Sequence, residues 1–221
     1  MKTIEIENRT CYVQGSSGAA YLILQMMGEH ELSELPEIAS TVARKENCLF
    51  AAVSVKNWND ELSPWKAPPV WGKERFGGFG SETLSFLLHQ VVPQLKNDYG
   101  LPEDVKIILG GYSLAGLFAL WAATKTDAFY GIAAASPSVW FPQWMEWEEN
   151  HPVQAEKVYL SLGNREEKTK NQIMKNVGDH IRLLYNRLEE RHISCTLEWN
   201  SGGHFKDTAR RTARAFAWVM K

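Results

Sequence analysis

Long hydrophobic runs, paired cysteines and an excess of charge of one sign are all missing from this sequence of 221 residues. No apolar run approaches the roughly 18–20 residues that a transmembrane helix needs, although 44% of the residues are hydrophobic. The formal net charge is −2, which gives no basis for binding nucleic acid or an anionic membrane surface. We therefore expect neither a nucleic-acid partner nor a membrane partner.

Cysteine is scarce, and its spacing is uninformative. Cys11, Cys48 and Cys195 form no CxxC pair, and an odd number of cysteines gives no disulfide framework. Residues 1–8 alternate in polarity and carry acidic side chains, which is typical of a strand and not of a signal peptide. These features together predict a reducing, cytoplasmic setting.

Motifs that bind metals or phosphate groups are also lacking. Residues 29–31 (Glu-His-Glu) lack the second histidine at helical spacing that a zinc-binding helix needs. A phosphate-cradling G-x-x-x-x-G-K motif does not occur. We expect no metal and no cofactor.

Strand-like apolar segments are abundant, and several are short and unbroken, as buried parallel strands are. We predict strands at 3–7, 10–14, 19–25, 48–55, 105–110, 130–135, 157–162 and 194–199. Helical stripes fall between the later strands and at the end, at 81–95, 114–124, 172–191 and 206–220, and a weaker one covers 32–45. Ser81 is the expected N-cap of the helix 81–95.

This order of elements predicts an α/β fold in one domain, 1–221. The first strands have no helices between them, whereas the later ones alternate with helices. Such an order predicts a mostly parallel eight-stranded sheet, helices on both faces, an antiparallel N-terminal edge and no large cap domain. No linker or internal repeat interrupts the pattern.

Ser113 stands at a predicted turn between a strand and a helix, in the sequence Gly-Tyr-Ser-Leu-Ala-Gly. A serine on such a sharp bend projects from the carboxyl edge of an α/β-hydrolase sheet. Small residues are needed two positions before and after it, where Gly111 and Ala115 stand, although Ala115 departs from the G-x-S-x-G pattern. The alternative is a glycine-rich turn with an incidental serine. The strand–turn–helix context favours Ser113 as a nucleophile.

A base must follow the serine in the sequence, because this fold orders its triad as serine, acid and histidine. His180 and His192 fall within or at the end of the predicted helix 172–191, and His151 lies in an acidic, tryptophan-rich stretch. His204 follows the last strand in a loop with two glycines, just before the final helix. We predict His204 as the base. The alternative is a loop histidine that caps the helix.

The acid should follow the strand 157–162, where Glu166 and Glu167 are adjacent. Glu166 stands three residues after Gly163, which lets its carboxylate turn back toward the sheet edge. We favour Glu166, with the role of orienting the imidazole. Glu167 remains the competitor, and either residue could instead be a solvated charge in the Arg-Glu-Glu-Lys run.

The oxyanion hole needs backbone N–H donors. Leu114 is the natural first donor, because it follows the nucleophile and begins the helix. The second donor normally comes from the loop after the third strand, which here is 25–28. No side chain selects the donor there. We choose Met26, with Met27 as the alternative.

Four segments of the chain resemble the esterases related to esterase D and to the enterochelin-type (siderophore) esterases. They are Gly-Tyr-Ser-Leu-Ala-Gly at 111–116, Ala-Ser-Pro-Ser-Val-Trp at 135–140, Ser-Leu-Gly-Asn-Arg-Glu-Glu-Lys-Thr at 161–169 and Gly-Gly-His at 202–204. The resemblance runs from about residue 19 to the C-terminus. It implies an α/β-hydrolase fold, ester hydrolysis and a serine–acid–histidine triad without metal or cofactor. It supports Ser113 and His204, whereas the adjacent glutamates leave the acid open.

Two predicted loops are rich in aromatic residues. The loop 56–80 is long for a connection, and both it and the loop 136–155 leave the carboxyl ends of strands, where ligands bind in open α/β sheets. We predict that they wall a substrate pocket with Trp58, Trp65, Trp71 and Trp140. The alternative is that these tryptophans pack the loops down or form a dimer patch.

The sequence therefore predicts a hydrolase that cleaves a small-molecule carboxylic ester through an acyl-enzyme on Ser113. An acyltransferase or thioesterase would use the same triad. A non-catalytic binding module of the same fold is a further alternative, because fold does not determine function. The sequence leaves the oligomeric state open and is compatible with a homodimer.

Overall fold

The computed structural model describes residues 1–43, 47–70 and 72–221. Its strands are β1 Lys2–Ile6, β2 Arg9–Gly15, β3 Tyr21–Met27, β4 Cys48–Ser54, β5 Lys66–Ala67, β6 Phe76–Gly77, β7 Lys106–Tyr112, β8 Gly131–Ala135, β9 Lys157–Gly163 and β10 Ser194–Asn200. Its helices are α1 Leu35–Ala43, α2 Trp58–Glu61, α3 Gly80–Phe86, α4 Val92–Tyr99, α5 Leu114–Lys125, α6 Trp144–Asn150, α7 Val177–Glu190 and α8 Thr208–Val219.

Eight strands form one sheet in the order β1-β2-β4-β3-β7-β8-β9-β10. The pairs β1–β2 and β2–β4 are antiparallel, and every later pair is parallel. All eight predicted strands and the antiparallel N-terminal edge are confirmed. The remaining strands, β5 and β6, make a small antiparallel ladder within the loop 56–80.

Helices cover both faces of the sheet, as predicted. One apolar layer contains α1 and α8, with Phe216 meeting Phe50 of β4 edge to face. The other layer contains α3, α4, α5 and α7. Residues 114–124 of α5 are all buried, which agrees with their nearly uniform apolar character.

The helix predicted at 81–95 extends over α3, a π-helical turn at Leu87–Val91 and α4. The expected cap at Ser81 is wrong, because α3 begins one residue earlier and has Phe79 at its N-cap position. The backbone N–H of Phe79 donates to the Asp60 carbonyl at 2.8 Å, and that of Gly80 donates to the Ser63 carbonyl at 3.0 Å. Tertiary contacts with the preceding loop thus replace a side-chain cap. The end of the weak helix predicted at 32–45 lies outside the described residues.

Candidate active site

Ser113 forms the turn between β7 and α5. Its backbone has φ 57° and ψ −117°, a conformation that non-glycine residues rarely adopt. Backbone hydrogen bonds to the segment that ends β8 and follows it fix this turn. The N–H of Ser113 donates to the Ala135 carbonyl, and the carbonyl of Ser113 accepts from the N–H of Ser138, each at 3.0 Å. This strained turn is the geometry that exposes a nucleophile above a parallel sheet.

The turn is crowded, and this accounts for the small residues beside the serine. A Cβ atom added to Gly111 would lie 2.5 Å from the Cβ of Ala115. A Cβ atom added to Gly116 would lie 3.1 Å from the Gly111 carbonyl oxygen and 3.2 Å from Pro137. Alanine at 115 fits where the sequence pattern usually has glycine, since Gly111 leaves the space for its methyl group.

His204 connects the serine to an acid. Its Nε2 lies 2.9 Å from Ser113 Oγ, and its Nδ1 lies 2.7 Å from Glu166 Oε2. With the proton on Nδ1, the ring donates to the carboxylate and accepts from the serine hydroxyl, as a general base must. The loop that carries His204 is anchored from β7, because the Tyr112 hydroxyl donates to the His204 carbonyl at 2.6 Å.

Glu166 is the carboxylate that reaches this histidine, and its neighbour does not. Glu166 Oε1 accepts from the Ser136 hydroxyl at 2.7 Å and from the Gly163 N–H at 2.6 Å. Glu167 turns away to Arg182, at 3.1 Å. The structure therefore brings together Ser113, His204 and Glu166, of which the side chain of Glu166 is only 5% exposed.

The environment of Glu166 favours its ionised form. Burial raises the pKa of this carboxyl, but the hydrogen bond and charge of His204 and the hydrogen bonds from Ser136 and Gly163 outweigh burial. The net result is a pKa below the usual value for glutamate. A carboxylate that stays ionised can orient His204 and stabilise its protonated form.

Two residues that contact Glu166 were not identified as site residues from the sequence. Ser136 follows β8, and Arg211 lies on α8 with its Nη2 3.0 Å from Glu166 Oε1. Ser136 stands in one of the segments of family resemblance, a signal that could have drawn attention to it. Arg211 carries no such signal, because a charged residue in a polar-looking terminal helix is expected to face solvent.

The predicted oxyanion donors lie at the same edge of the sheet. Leu114 is the first residue of α5 and lines the cavity beside Ser113. Met26 and Met27 are the last residues of β3 and are fully buried. The next N–H group, of Gly28, donates to Glu31 Oε2 at 3.0 Å. The second donor, Met26, stays a prediction.

A cavity of about 710 Å³ opens over the serine. Ser113, Leu114 and His204 line it, and its apolar lining includes Trp58, Phe76, Trp140 and Phe205. One wall also carries Glu31, which is 8% exposed. Burial raises the pKa of Glu31 to about 8, against the lowering effect of the Gly28 N–H.

The four predicted pocket tryptophans have different positions. Trp58 and Trp140 line the cavity. Trp65 does not: its indole Nε1 donates to the Pro142 carbonyl at 3.1 Å, and its ring packs against Phe141 and Trp147. The lining role predicted for Trp65 is therefore corrected to packing between the two aromatic loops. Trp71 lies outside the described residues.

The sheet order, the layers of helices and the strained serine turn define the α/β-hydrolase class. The sequence model of the family described as "Esterase: Putative esterase" matches residues 39–204. The chain belongs to this family, and the resemblance seen in the sequence is confirmed.

Individual relatives agree with this assignment. The ferri-bacillibactin esterase BesA of Bacillus subtilis (strain 168) is 29% identical over 166 residues, which cover 69% of this chain and 53% of the relative. The chain thus spans about half the length of that curated protein.

Similar folds occur among solved structures. The siderophore hydrolase EstA from Aspergillus nidulans superimposes with a TM-score of 0.74 at 18% identity, covering 96% of this chain and 89% of EstA. An IroE-like serine hydrolase from Shewanella oneidensis gives a TM-score of 0.76 at 14% identity, covering 97% and 78%. At these identities the likeness concerns the fold. Within the three described ranges, none of the helices has the length and apolar character to cross a bilayer.

Proposed function

We propose that this protein is a carboxylic ester hydrolase whose nucleophile is Ser113. The observation that carries the proposal is the chain of contacts from Ser113 Oγ to His204 Nε2 at 2.9 Å and from His204 Nδ1 to Glu166 at 2.7 Å. Membership in an esterase family supports the same reaction.

The proposed reaction has two stages. His204 takes the hydroxyl proton as Ser113 Oγ attacks the ester carbonyl carbon, and the negative charge on the carbonyl oxygen faces the N–H of Leu114. His204 then protonates the departing alcohol, which leaves an acyl group on Ser113. Water, activated by His204, releases the acid and regenerates the serine.

Hydrolysis is favoured over acyl transfer by the exposure of the histidine. The side chain of His204 is 24% exposed, so water reaches the base directly. The aromatic walls of the cavity suit an ester with an apolar or aromatic group. Because BesA is a ferri-bacillibactin esterase, siderophore esters belong among the first substrates to test.

The setting that we propose is the cytoplasm, with a small-molecule ester as the partner. Cys11 and Cys195 are free thiols, as expected of a reducing compartment. Burial raises the pKa of Cys11 to about 12, so this thiol is unreactive.

A fluorophosphonate probe followed by mass spectrometry tests the nucleophile. We expect labelling at Ser113 that is lost in Ser113→Ala and strongly reduced in His204→Ala. Ser138→Ala is the matched control, because Ser138 Oγ lies only 3.3 Å from Ser113 Oγ, while the His204 ring bonds to Ser113. Absence of labelling in the folded wild-type protein would favour a binding module instead.

A further inference from the structure

Arg211 is a buried cation directed at the acid of the triad. Its side chain is 3% exposed, and it reaches Glu166, itself 5% exposed, from the C-terminal helix α8. Its Nη2 donates to Glu166 Oε1 and also contacts the Ser136 hydroxyl, which in turn donates to the same carboxylate oxygen. The guanidinium and the hydroxyl thus both bind Oε1 of Glu166, whereas His204 binds Oε2.

Arg211 also contacts the second support of the histidine. Its guanidinium carbon lies 5.2 Å from the ring centre of Tyr112, within the range of a cation–π contact. Tyr112 holds the His204 loop through its hydrogen bond to the His204 carbonyl. One arginine thus touches both the acid that orients the imidazole and the tyrosine that fixes its backbone.

We infer that Arg211 is a positioning residue of the active site, which holds Glu166 ionised and aimed at His204 and thereby sets the pH range of catalysis. This inference rests on the proposed triad. A carboxylate buried among apolar atoms tends to take up a proton unless a cation or hydrogen-bond donors offset the loss of water. Arg211 supplies the charge and directs it to the oxygen that His204 does not use.

The sign of the pH effect follows from the charge of Arg211. The His204–Glu166 pair is inactive as a base once it takes up a further proton, so activity falls on the acid side of the profile. A positive charge beside the pair disfavours that proton, whichever of the two residues holds it. Removing the charge therefore moves the acid limb to higher pH.

Other charged groups near the pair are placed differently. Glu31 and Glu34 line the cavity, and Lys206 and Asp207 follow His204 on the exposed surface. Within the described residues, the ion pairs of Glu166 are those with His204 and Arg211. Removal of the Arg211 charge therefore leaves His204 as the charged partner of Glu166 in this part of the chain.

The test is the pH dependence of kcat/KM for hydrolysis of a p-nitrophenyl ester by the full chain. For Arg211→Gln we expect the acid limb to move up by about one pH unit, which lowers kcat/KM roughly tenfold at pH values below the limb. For Arg211→Lys, which keeps the charge but not the planar fork, we expect an unmoved limb with kcat reduced and KM unchanged.

The matched control is Arg187→Gln. Arg187 also pairs with a buried carboxylate, Glu148, at 3.0 Å, and its hydrogen bonds go to Glu148 and Met145, away from the triad. We expect this variant to lose stability and keep the wild-type pH profile. If Arg211→Gln folds and its acid limb coincides with that of the wild type, the inference is overturned. If Arg211→Gln does not fold, wild-type kcat in Arg211→Lys overturns the positioning role.

Nuclear magnetic resonance of the histidine rings separates this inference from the proposed function. The signal of the Nδ1 proton that His204 shares with Glu166, assigned by its loss in His204→Ala, should be weakened in Arg211→Gln and kept in the wild type, with no substrate present. An inactive, unlabelled wild-type protein would refute the esterase proposal, while this proton signal would still decide the role of Arg211.

Discussion

Glu166 Oε2 lies 2.7 Å from His204 Nδ1, although the two residues are 38 positions apart in the sequence. They meet because β9 and β10 are parallel neighbours whose carboxyl ends lie side by side, with Asn200 opposite Gly163. Each strand is followed directly by the loop that carries one partner. The sheet thereby delivers an acid and a base to the same edge as Ser113, which follows β7.

Separate replacement of Glu166 and Glu167 by glutamine tests which of the two carboxylates orients His204. We expect Glu166→Gln to lower kcat by about 10²–10⁴-fold, because the amide cannot stabilise a protonated imidazole or hold its tautomer. Glu167→Gln should keep activity close to wild type, since Glu167 pairs with Arg182 on the surface. Steady-state kinetics on both variants measures the difference. A larger loss in Glu167→Gln would show that Glu167, and not Glu166, is the acid.

The cavity tryptophans should determine which esters are accepted. We expect Trp58→Ala and Trp140→Ala to change the ratio of kcat/KM between short and bulky acyl esters by about tenfold, because each removes a wall of the cavity. Trp65→Ala is the matched control: it should lower the melting temperature and leave the ratio unchanged. If all three variants kept the selectivity profile of the wild type, Trp58 and Trp140 would not determine which esters the cavity accepts.

Among the described residues, Phe205 is the most exposed large apolar side chain, at 87%, and it lies beside His204 and lines the cavity. We expect that a bulky substrate covers this ring. Phe205→Ala should then raise KM several-fold for bulky aromatic esters and leave acetate esters unaffected. The control is Leu183→Ala, which removes an exposed apolar side chain (43%) on α7. Equal effects of Phe205→Ala on acetate and aromatic esters would count against this contact.

The carboxyl of Glu31 should make stability depend on pH. Burial raises its pKa from 4.5 to about 8, so the folded state keeps a proton that the unfolded chain has already lost. The free energy of unfolding should therefore fall as pH rises from about 4.5 to about 8, by about 1.4 kcal/mol for each pH unit in this window.

Replacement by glutamine removes this dependence. The difference in the free energy of unfolding between Glu31→Gln and the wild type should favour the variant more at pH 9 than at pH 5, by a few kcal/mol. Urea unfolding at the two pH values measures the effect, with the exposed Glu37→Gln on α1 as the control. A pH-independent difference between Glu31→Gln and the wild type would show that Glu31 is not a desolvated acid.

Much of the fold was accessible from local patterns. The strands at 48–55 and 157–162 are short apolar runs, and the structure confirms both within a residue. Such runs have to be buried on both faces, so their assignment does not depend on knowing their neighbours. The Ser81 cap failed for the opposite reason, since backbone contacts from residues some twenty positions earlier, Asp60 and Ser63, determine where α3 begins.

Side-chain direction was the part that local patterns could not supply. The sequence allowed either Glu166 or Glu167 as the acid, and only the turn after β9 directs one carboxylate inward and the other to Arg182. Trp65 lies in the same aromatic loop as Trp58, yet its indole N–H donates to the Pro142 carbonyl and its ring packs against Phe141 and Trp147. Two residues in one loop face different surroundings because of contacts made far along the chain.

The sequence by itself determined the eight strands of the main sheet, the helices that cover it, the serine turn and the histidine loop, because each depends on residues a few positions apart. It did not predict the short elements β5, β6, α2 and α6 inside the two aromatic loops. The tertiary structure alone decided which glutamate faces His204, which tryptophans wall the cavity, and that Arg211 is buried against Glu166. These depend on the packing of α8 and the loops against the sheet edge, where a buried charge is tolerated only beside its partner.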